Sequence, residues 1–262
     1  MADATTSALR SVRATRYVTP LREGGSMPGL VEADDDGLYV VKFRGAGQGV
    51  KALIAEVVVG EVARALGLRV PEIVLVEVDP LLAAAEPDPE IQELVQASGG
   101  SNAALDFLPG SLPFSPAAPV GMTEELAAAI VWLDALTANV DRTPRNPNML
   151  IWHEELWLID HGAALYRHHA ATWPEGAAKA AFPLIADHVL LPFAGSIAEA
   201  DERLTSRLDR ATLEGIVAAV PDDWLGDSAA LARETYVDYF VERLAAPRVF
   251  VAEAEEARRA LA

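Results

Sequence analysis

Two spacings of apolar residues divide the chain. In the first third they fall in short, strand-like runs bounded by turn residues. Residues 13–19 and 38–43 read as strands; the second, Leu38-Tyr39-Val40-Val41-Lys42-Phe43, is bounded by the turn Asp34-Asp35-Asp36-Gly37 and by Gly45. A glycine-rich turn over 21–30 separates them, so the two are expected to form a hairpin with that turn at its tip. Residues 73–78 and 103–107 are further strands, and the first dozen residues are expected to be a loose arm. One long helix interrupts this region, 48–66. It is apolar around most of its circumference and ends at Gly67, which predicts burial on more than one side. A short helix is expected over 90–96.

After a linker with four prolines, 108–121, the period turns helical over 123–139, with Leu126, Ile130 and Leu133 one turn apart. A hairpin follows, with strands 149–152 and 156–159. Beyond it the pattern is mostly helical: 198–208, 211–220, 228–244 and 249–262. The expected fold class is α+β with two lobes: a small β-rich N-lobe with one long helix (1–110) and a larger helical C-lobe (111–262).

Charge narrows the function classes. A formal net charge of −18 argues against a nucleic-acid partner, which would need a basic face. The absence of cysteine removes disulfide, thiolate and cysteine-ligated zinc chemistry. No apolar run reaches the length of a membrane span, and the N-terminus shows no secretion signal, so a cytoplasmic location is expected. The chain has only three lysines, Lys42, Lys51 and Lys179, beside eighteen arginines, which makes each lysine worth examining.

The densest candidate chemistry lies between the long helix and the hairpin. Asp141 is followed five residues later by Asn146, and Asp160 ends the hairpin just before His161-Gly162. ATP-dependent phosphoryl transfer needs this layout. One carboxylate accepts the proton of an attacking hydroxyl, while an amide oxygen and a second carboxylate hold Mg2+ against the phosphates. Asn148 is a second amide within reach of the same role, but the five-residue spacing favours Asn146. Lys42 lies on a strand whose two faces both look apolar, so it needs an anion: a phosphate, and a glutamate of the helix. Both Glu56 and Glu61 qualify, and spacing does not choose between them. Gly24-Gly25-Ser26 could lay backbone N–H groups over phosphates. Arg142 and Arg145 flank the loop, either offsetting phosphate charge or standing as surface charges. His161, His168 and His169 lack a fourth ligand in register, so zinc is not expected.

In order along the chain, Gly24-Gly25-Ser26, Val40-Val41-Lys42-Phe43, Glu56, Leu66-Gly67-Leu68-Arg69-Val70-Pro71, Phe107-Leu108-Pro109-Gly110, Asn139-Val140-Asp141-Arg142 with Asn146, and Leu158-Ile159-Asp160-His161-Gly162 resemble the HipA-like kinase family. This family is related to the phosphatidylinositol 3- and 4-kinases and, more distantly, to protein kinases. The resemblance implies a protein-kinase-like fold, with ATP and Mg2+ as cofactors and a hydroxyl acceptor, classically on a protein serine or threonine; a small-molecule kinase that shares the loop chemistry is an alternative. Asp141 is similar to the family's catalytic base, Asn146 and Asp160 to its metal ligands, and Lys42 to its phosphate-contacting lysine. Glu56 takes the helix position. Gly24, Gly25 and Ser26 resemble the phosphate loop, although Met27-Pro28 departs from the usual one. Asp106 and Phe107 match the hinge that meets adenine through backbone atoms. A regulator that binds nucleotide without turnover is the alternative of a different class.

Overall fold

The structure is a computed structural model that describes residues 9–21, 27–84 and 86–261. Five strands close a barrel: β1 (Ser11–Pro20), β2 (Gly29–Ala33), β3 (Leu38–Lys42), β4 (Ile73–Val78) and β5 (Gly100–Asp106), in the order β1-β2-β3-β5-β4. The pair that closes it, β1 with β4, is parallel and aligns Ser11 with Leu75 and Arg13 with Glu77; the other pairs are antiparallel. Alternation along β3 sends Tyr39, Val41 and Phe43 into a core shared with Val31, Val74 and Val76. Lys42 and Val40 therefore occupy the opposite face. A short helix α2 (Pro89–Gln96), capped by Asp88, adds Ile91 and Val95 to the barrel core.

The long helix α1 (Gly49–Ala65) lies outside the barrel. Residues 52–60 are all buried, so the helix is wrapped on several faces, as its apolar circumference predicts. It ends in a Schellman cap: Gly67, at φ +81°, donates to Arg64 O (2.9 Å) and Leu68 N donates to Ala63 O (3.0 Å). Helix α3 (Glu124–Thr137) starts at Thr123, whose hydroxyl accepts from Leu126 N at 3.1 Å, and every residue of 127–137 is buried. The hairpin β7 (Met149–Trp152) and β8 (Glu155–Leu158) turns on two residues with positive φ, His153 and Glu154. The two-residue strand β6 (Leu112–Pro113) extends this small sheet. Helices α4 (Ile197–Leu204), α5 (Arg210–Ala218), α6 (Asp222–Leu225), α7 (Ala229–Leu244) and α8 (Val249–Arg259) complete the chain. One large core joins α1, α3 and these later helices.

Four expectations are corrected. The first strand does not pair with 38–43; β2 stands between them, a five-residue strand between two turn signals whose first two residues, Gly29 and Leu30, fall in the expected glycine turn. Ser11 and Val12 belong to β1 rather than to a loose arm, because β4 offers them a parallel partner. The linker 108–121 contributes β6, which uses Leu112 and Pro113 as an edge against β7. The mostly helical character expected beyond Gly162 begins only at Ile197: residues 163–196 are turns with three short 3-10 helices, Tyr166–His169, Pro183–Asp187 and Leu191–Phe193, in a stretch that carries Pro174, Pro183 and Pro192.

Candidate active site

Lys42 is 8% exposed, and Glu56 is fully buried. β3 presents Lys42 toward α1, where its Nζ donates to Glu56 Oε2 at 2.7 Å and to Asp160 Oδ1. Glu56 Oε2 also accepts from the backbone N–H of His161 at 2.8 Å. Burial alone would push Lys42 toward the neutral amine, but Glu56 and then Asp160 outweigh it and raise its pKa. Burial likewise opposes the charge on Glu56. The Lys42 ammonium and then the nearby His161 ring overcome it, and the carboxyl is held below its ordinary range. The choice between two helix glutamates is thereby made. Glu61 pairs with Arg64 at 3.4 Å on another face of α1.

Asp160 takes φ +56°, a left-handed conformation that costs energy for a residue with a Cβ. Its side chain keeps 34% exposure while Lys42 holds one oxygen. Gly162 follows, so the turn lies close to Lys42 and Ala52; a Cβ there would stand 3.6 Å from Lys42 Nζ.

The loop after α3 is organised by a residue that sequence reasoning missed. Asp134, fully buried within α3, accepts from Asn139 Nδ2 (3.0 Å), Arg142 Nε (2.5 Å) and His188 Nε2 (2.8 Å). Leu190 N donates to His188 Nδ1, so Nε2 is the ring nitrogen that carries the proton. Burial would raise the Asp134 pKa, but the Arg142 charge and the His188 contact pull it below the carboxylate range. Asn139 Oδ1 accepts from Asp141 N at 3.1 Å, and Arg142 Nη1 donates to Asn148 O at 2.5 Å. One buried carboxylate thus fixes both ends of the loop. Arg142 accordingly does not match either reading of it: it is 1% exposed and braces the backbone, neither a surface charge nor a cleft cation. The available signal was an aspartate inside an otherwise apolar helix, which demands a buried partner.

Within that brace, Thr143 and Asn146 pair as a miniature hairpin with Pro144-Arg145 at its tip. Asn146 Nδ2 donates to Asp141 Oδ2 at 2.7 Å, and Asn148 Nδ2 donates to the same oxygen at 3.2 Å. Asn146 spends its amide nitrogen on Asp141, which leaves its carbonyl oxygen as a donor toward a cation. Asn148 also approaches the Asp160 carbonyl, at 3.5 Å.

A cleft of about 1160 Å³ lies between the barrel and this loop, lined by Lys42, Asn146, Asn148 and Asp160 at one end and by Leu105, Phe107 and Phe114 among its apolar walls. Asp106 also lines it. Its register opposite Tyr39 puts its side chain on the Tyr39 face of the sheet, so it meets the cleft through its backbone. The N–H groups of Asp106 and Phe107 are spent on Glu72 O (2.8 Å) and Leu38 O (2.9 Å), which leaves their carbonyls to face a ligand. Arg145 is exposed on the cleft wall. Gly24, Gly25 and Ser26 lie outside the described residues; Leu21 and Pro28, on either side of them, line the cleft. Lys42, Asn146 and Asp160 thus line a single cleft, while Glu56 and Asp141 stand behind its lining, bonded to Lys42 and to Asn146 respectively. His161 touches Glu56, while the His168 ring turns to Tyr236 OH (2.9 Å).

Among solved structures the chain is similar to the proinflammatory kinase CtkA of Helicobacter pylori, at 15% identity and a TM-score of 0.56, over 89% of this chain and 94% of that one. It is also similar to a Golgi casein kinase, at 13% identity and a TM-score of 0.49, over 96% of this chain and 72% of that one. No curated protein sequence matches it. At such low identity the likeness to CtkA speaks to the fold alone, a mixed α+β kinase fold. The family described as HipA-like kinases matches residues 15–246, from β1 through the cleft residues and into the helices that follow. With that match running through most of its length, the chain belongs to the HipA-like kinase family.

Proposed function

We propose that this protein is an ATP-dependent phosphotransferase with two lobes, 1–110 and 111–262, that carries the γ-phosphoryl group to a hydroxyl, in first place that of a serine or threonine on a protein. The observation that supports it most is the position of Lys42: one ammonium bridges the helix carboxylate Glu56 and the hairpin carboxylate Asp160 at the head of the cleft.

The donor set fits Mg2+. Asp160 offers a partly exposed carboxylate and Asn146 an amide oxygen, the hard oxygen ligands this ion prefers. These two residues would hold it, and when bound it would neutralise charge on the phosphates. Nucleotide fits as well. The cleft has apolar walls for a base near Leu105 and Phe107 and a lysine at the far end. Lys42, fixed by Glu56, binds phosphate oxygens. The carbonyls of Asp106 and Phe107 orient the base.

Asp141 receives the proton of the acceptor hydroxyl at its carboxylate. Its two asparagine contacts both fall on Oδ2, which leaves Oδ1 for the acceptor. Catalysis on this reading is mainly positioning and charge neutralisation.

The test is Asp141→Ala. Transfer from labelled ATP to proteins of an extract is expected to fall by about 10³-fold, within the range for loss of a general base, with Mg-ATP affinity kept. Undiminished transfer in that variant would remove Asp141 from the reaction. Mg-ATP binding without consumption by the wild-type protein would favour a nucleotide-binding regulator, and label in metabolites rather than proteins would favour a small-molecule kinase.

A further inference from the structure

We propose that His161 is a positioning residue whose ring latches Glu56, so that α1, Lys42 and the turn carrying Asp160 hold as one unit. The inference rests on the reading of Lys42 and Asp160 as the phosphate and metal groups given above.

Glu56 Oε2 is already shared between Lys42 Nζ (2.7 Å) and His161 N (2.8 Å). Its other oxygen, Oε1, is buried and has no hydrogen-bond partner among the described residues. The same is true of His161 Nδ1, and these two atoms stand 3.5 Å apart. A carboxylate oxygen and a ring nitrogen left unpaired in the interior each carry a desolvation cost, and a shift of a few tenths of an ångström would satisfy both. With Nδ1–H donated to Oε1, one residue grips both oxygens of the carboxylate, by its backbone and by its ring. Asp160 is the residue immediately before it. Displacing α1 would then break the Lys42 contact and both His161 contacts together.

The ring packs against a glycine of the helix. Gly60 lies one turn beyond Glu56 on the same face of α1. A Cβ there would stand 3.7 Å from His161 Nδ1 and run into Ile73 Cδ1. Glycine is a poor helix former in mid-helix, so its presence in this buried helix calls for a packing reason. The close approach of Ile73 supplies one, and it sets the face of α1 against which His161 lies.

The experiment compares His161→Asn, His161→Gln and His161→Leu with the wild type. Asparagine places its amide nitrogen at the same number of bonds from Cβ as Nδ1; glutamine moves it toward the Nε2 position, and leucine fills space without a donor. Steady-state ATP consumption is measured for each, together with the melting temperature. For His161→Leu, kcat is expected to fall about tenfold or more, with KM for Mg-ATP changed by less than about threefold. His161→Asn is expected to stay within about threefold of the wild type. In a Glu56→Gln background the leucine substitution should cost less than about twofold further, because the shared contact is already gone. Equal impairment of the asparagine and leucine variants, or a full independent loss on the Glu56→Gln background, would overturn the latch. If His161→Leu fails to fold, the asparagine and glutamine variants decide: asparagine should be the more active, and equal rates contradict the assignment.

A wild-type protein that consumes no ATP would remove the phosphotransfer reading, and the imidazole 15N spectrum would then judge the latch by itself. A protonated Nδ1 whose resonance shifts on Glu56→Gln supports it; a resonance indifferent to that change overturns it.

Discussion

Two buried carboxylates each hold residues that lead to the cleft, and they are finished to different degrees. Asp134, below the loop, accepts from Asn139, Arg142 and His188, and no solvent reaches it. Glu56, on α1, has one oxygen saturated and one without a hydrogen-bond partner among the described residues, and the lysine it holds also reaches Asp160, a residue still open to the cleft. A closed network of this kind specifies backbone geometry. An open one leaves a lysine and a carboxylate free to change partners when a ligand arrives. The difference teaches which charges are architecture and which are available for chemistry, although both sets are buried ion pairs.

The largest expected effect comes from breaking the closed network. Arg142→Ala leaves Asp134 charged and short of a partner in the interior, which should cost about 3–5 kcal/mol of stability in urea denaturation. A loss below about 1 kcal/mol would mean that the brace is not one.

Acid provides the next effect. The folded-state pKa of Asp134 is depressed, so its contribution is complete above the unfolded value of about 3.9 and is lost as pH falls below it. The fall in melting temperature from pH 5 to pH 3 should be smaller in Asp134→Asn than in the wild type. A parallel decline in both would show that other carboxylates govern acid unfolding.

The open network should behave in the opposite way. Asp160→Asn keeps size and polarity at a partly exposed position, and its stability cost should stay within about 1 kcal/mol by the same denaturation measurement. A cost like that of Arg142→Ala would erase the distinction between the two networks. Smallest of all, Glu61→Gln should leave ATP consumption unchanged and shift stability by no more than about 0.5 kcal/mol, since its partner is a partly exposed Arg64 on its own helix.

Much of this was legible before any coordinates. The run 73–78 became β4 with the same bounds, and the apolar circumference of 48–66 announced a helix buried on several faces. Lys42 between two apolar faces demanded a partner, and two carboxylates met it. The spacing of Asp141, Asn146 and Asp160 drew attention to two residues that line one cleft, Asn146 and Asp160, and to a third, Asp141, that is bonded to Asn146. What escaped depended on partners distant in sequence. β2 is only five residues long and flanked by turn signals, so its strand character comes from β1 and β3. His188 reaches Asp134 across 54 residues, a pairing that no local pattern encodes. Glu56 and Glu61 lie on different faces of a helix that is apolar nearly all round, so spacing does not choose between them until β3 shows which face it meets. Arg142 looked like a loop cation because its partner sits one turn before the end of the preceding helix.

The central claim is that Lys42 and Asp160 give up their mutual contact to hold one metal-bound nucleotide. Calorimetric titration of ATP into the wild type and into Asp160→Asn, each with and without Mg2+, tests it most directly. The wild type should bind at least about tenfold more tightly with Mg2+ present, a gain of about 1.4 kcal/mol, and Asp160→Asn should lose that gain while keeping its metal-free affinity within a few-fold. An affinity indifferent to Mg2+ in the wild type, or a gain retained in full by Asp160→Asn, would contradict it.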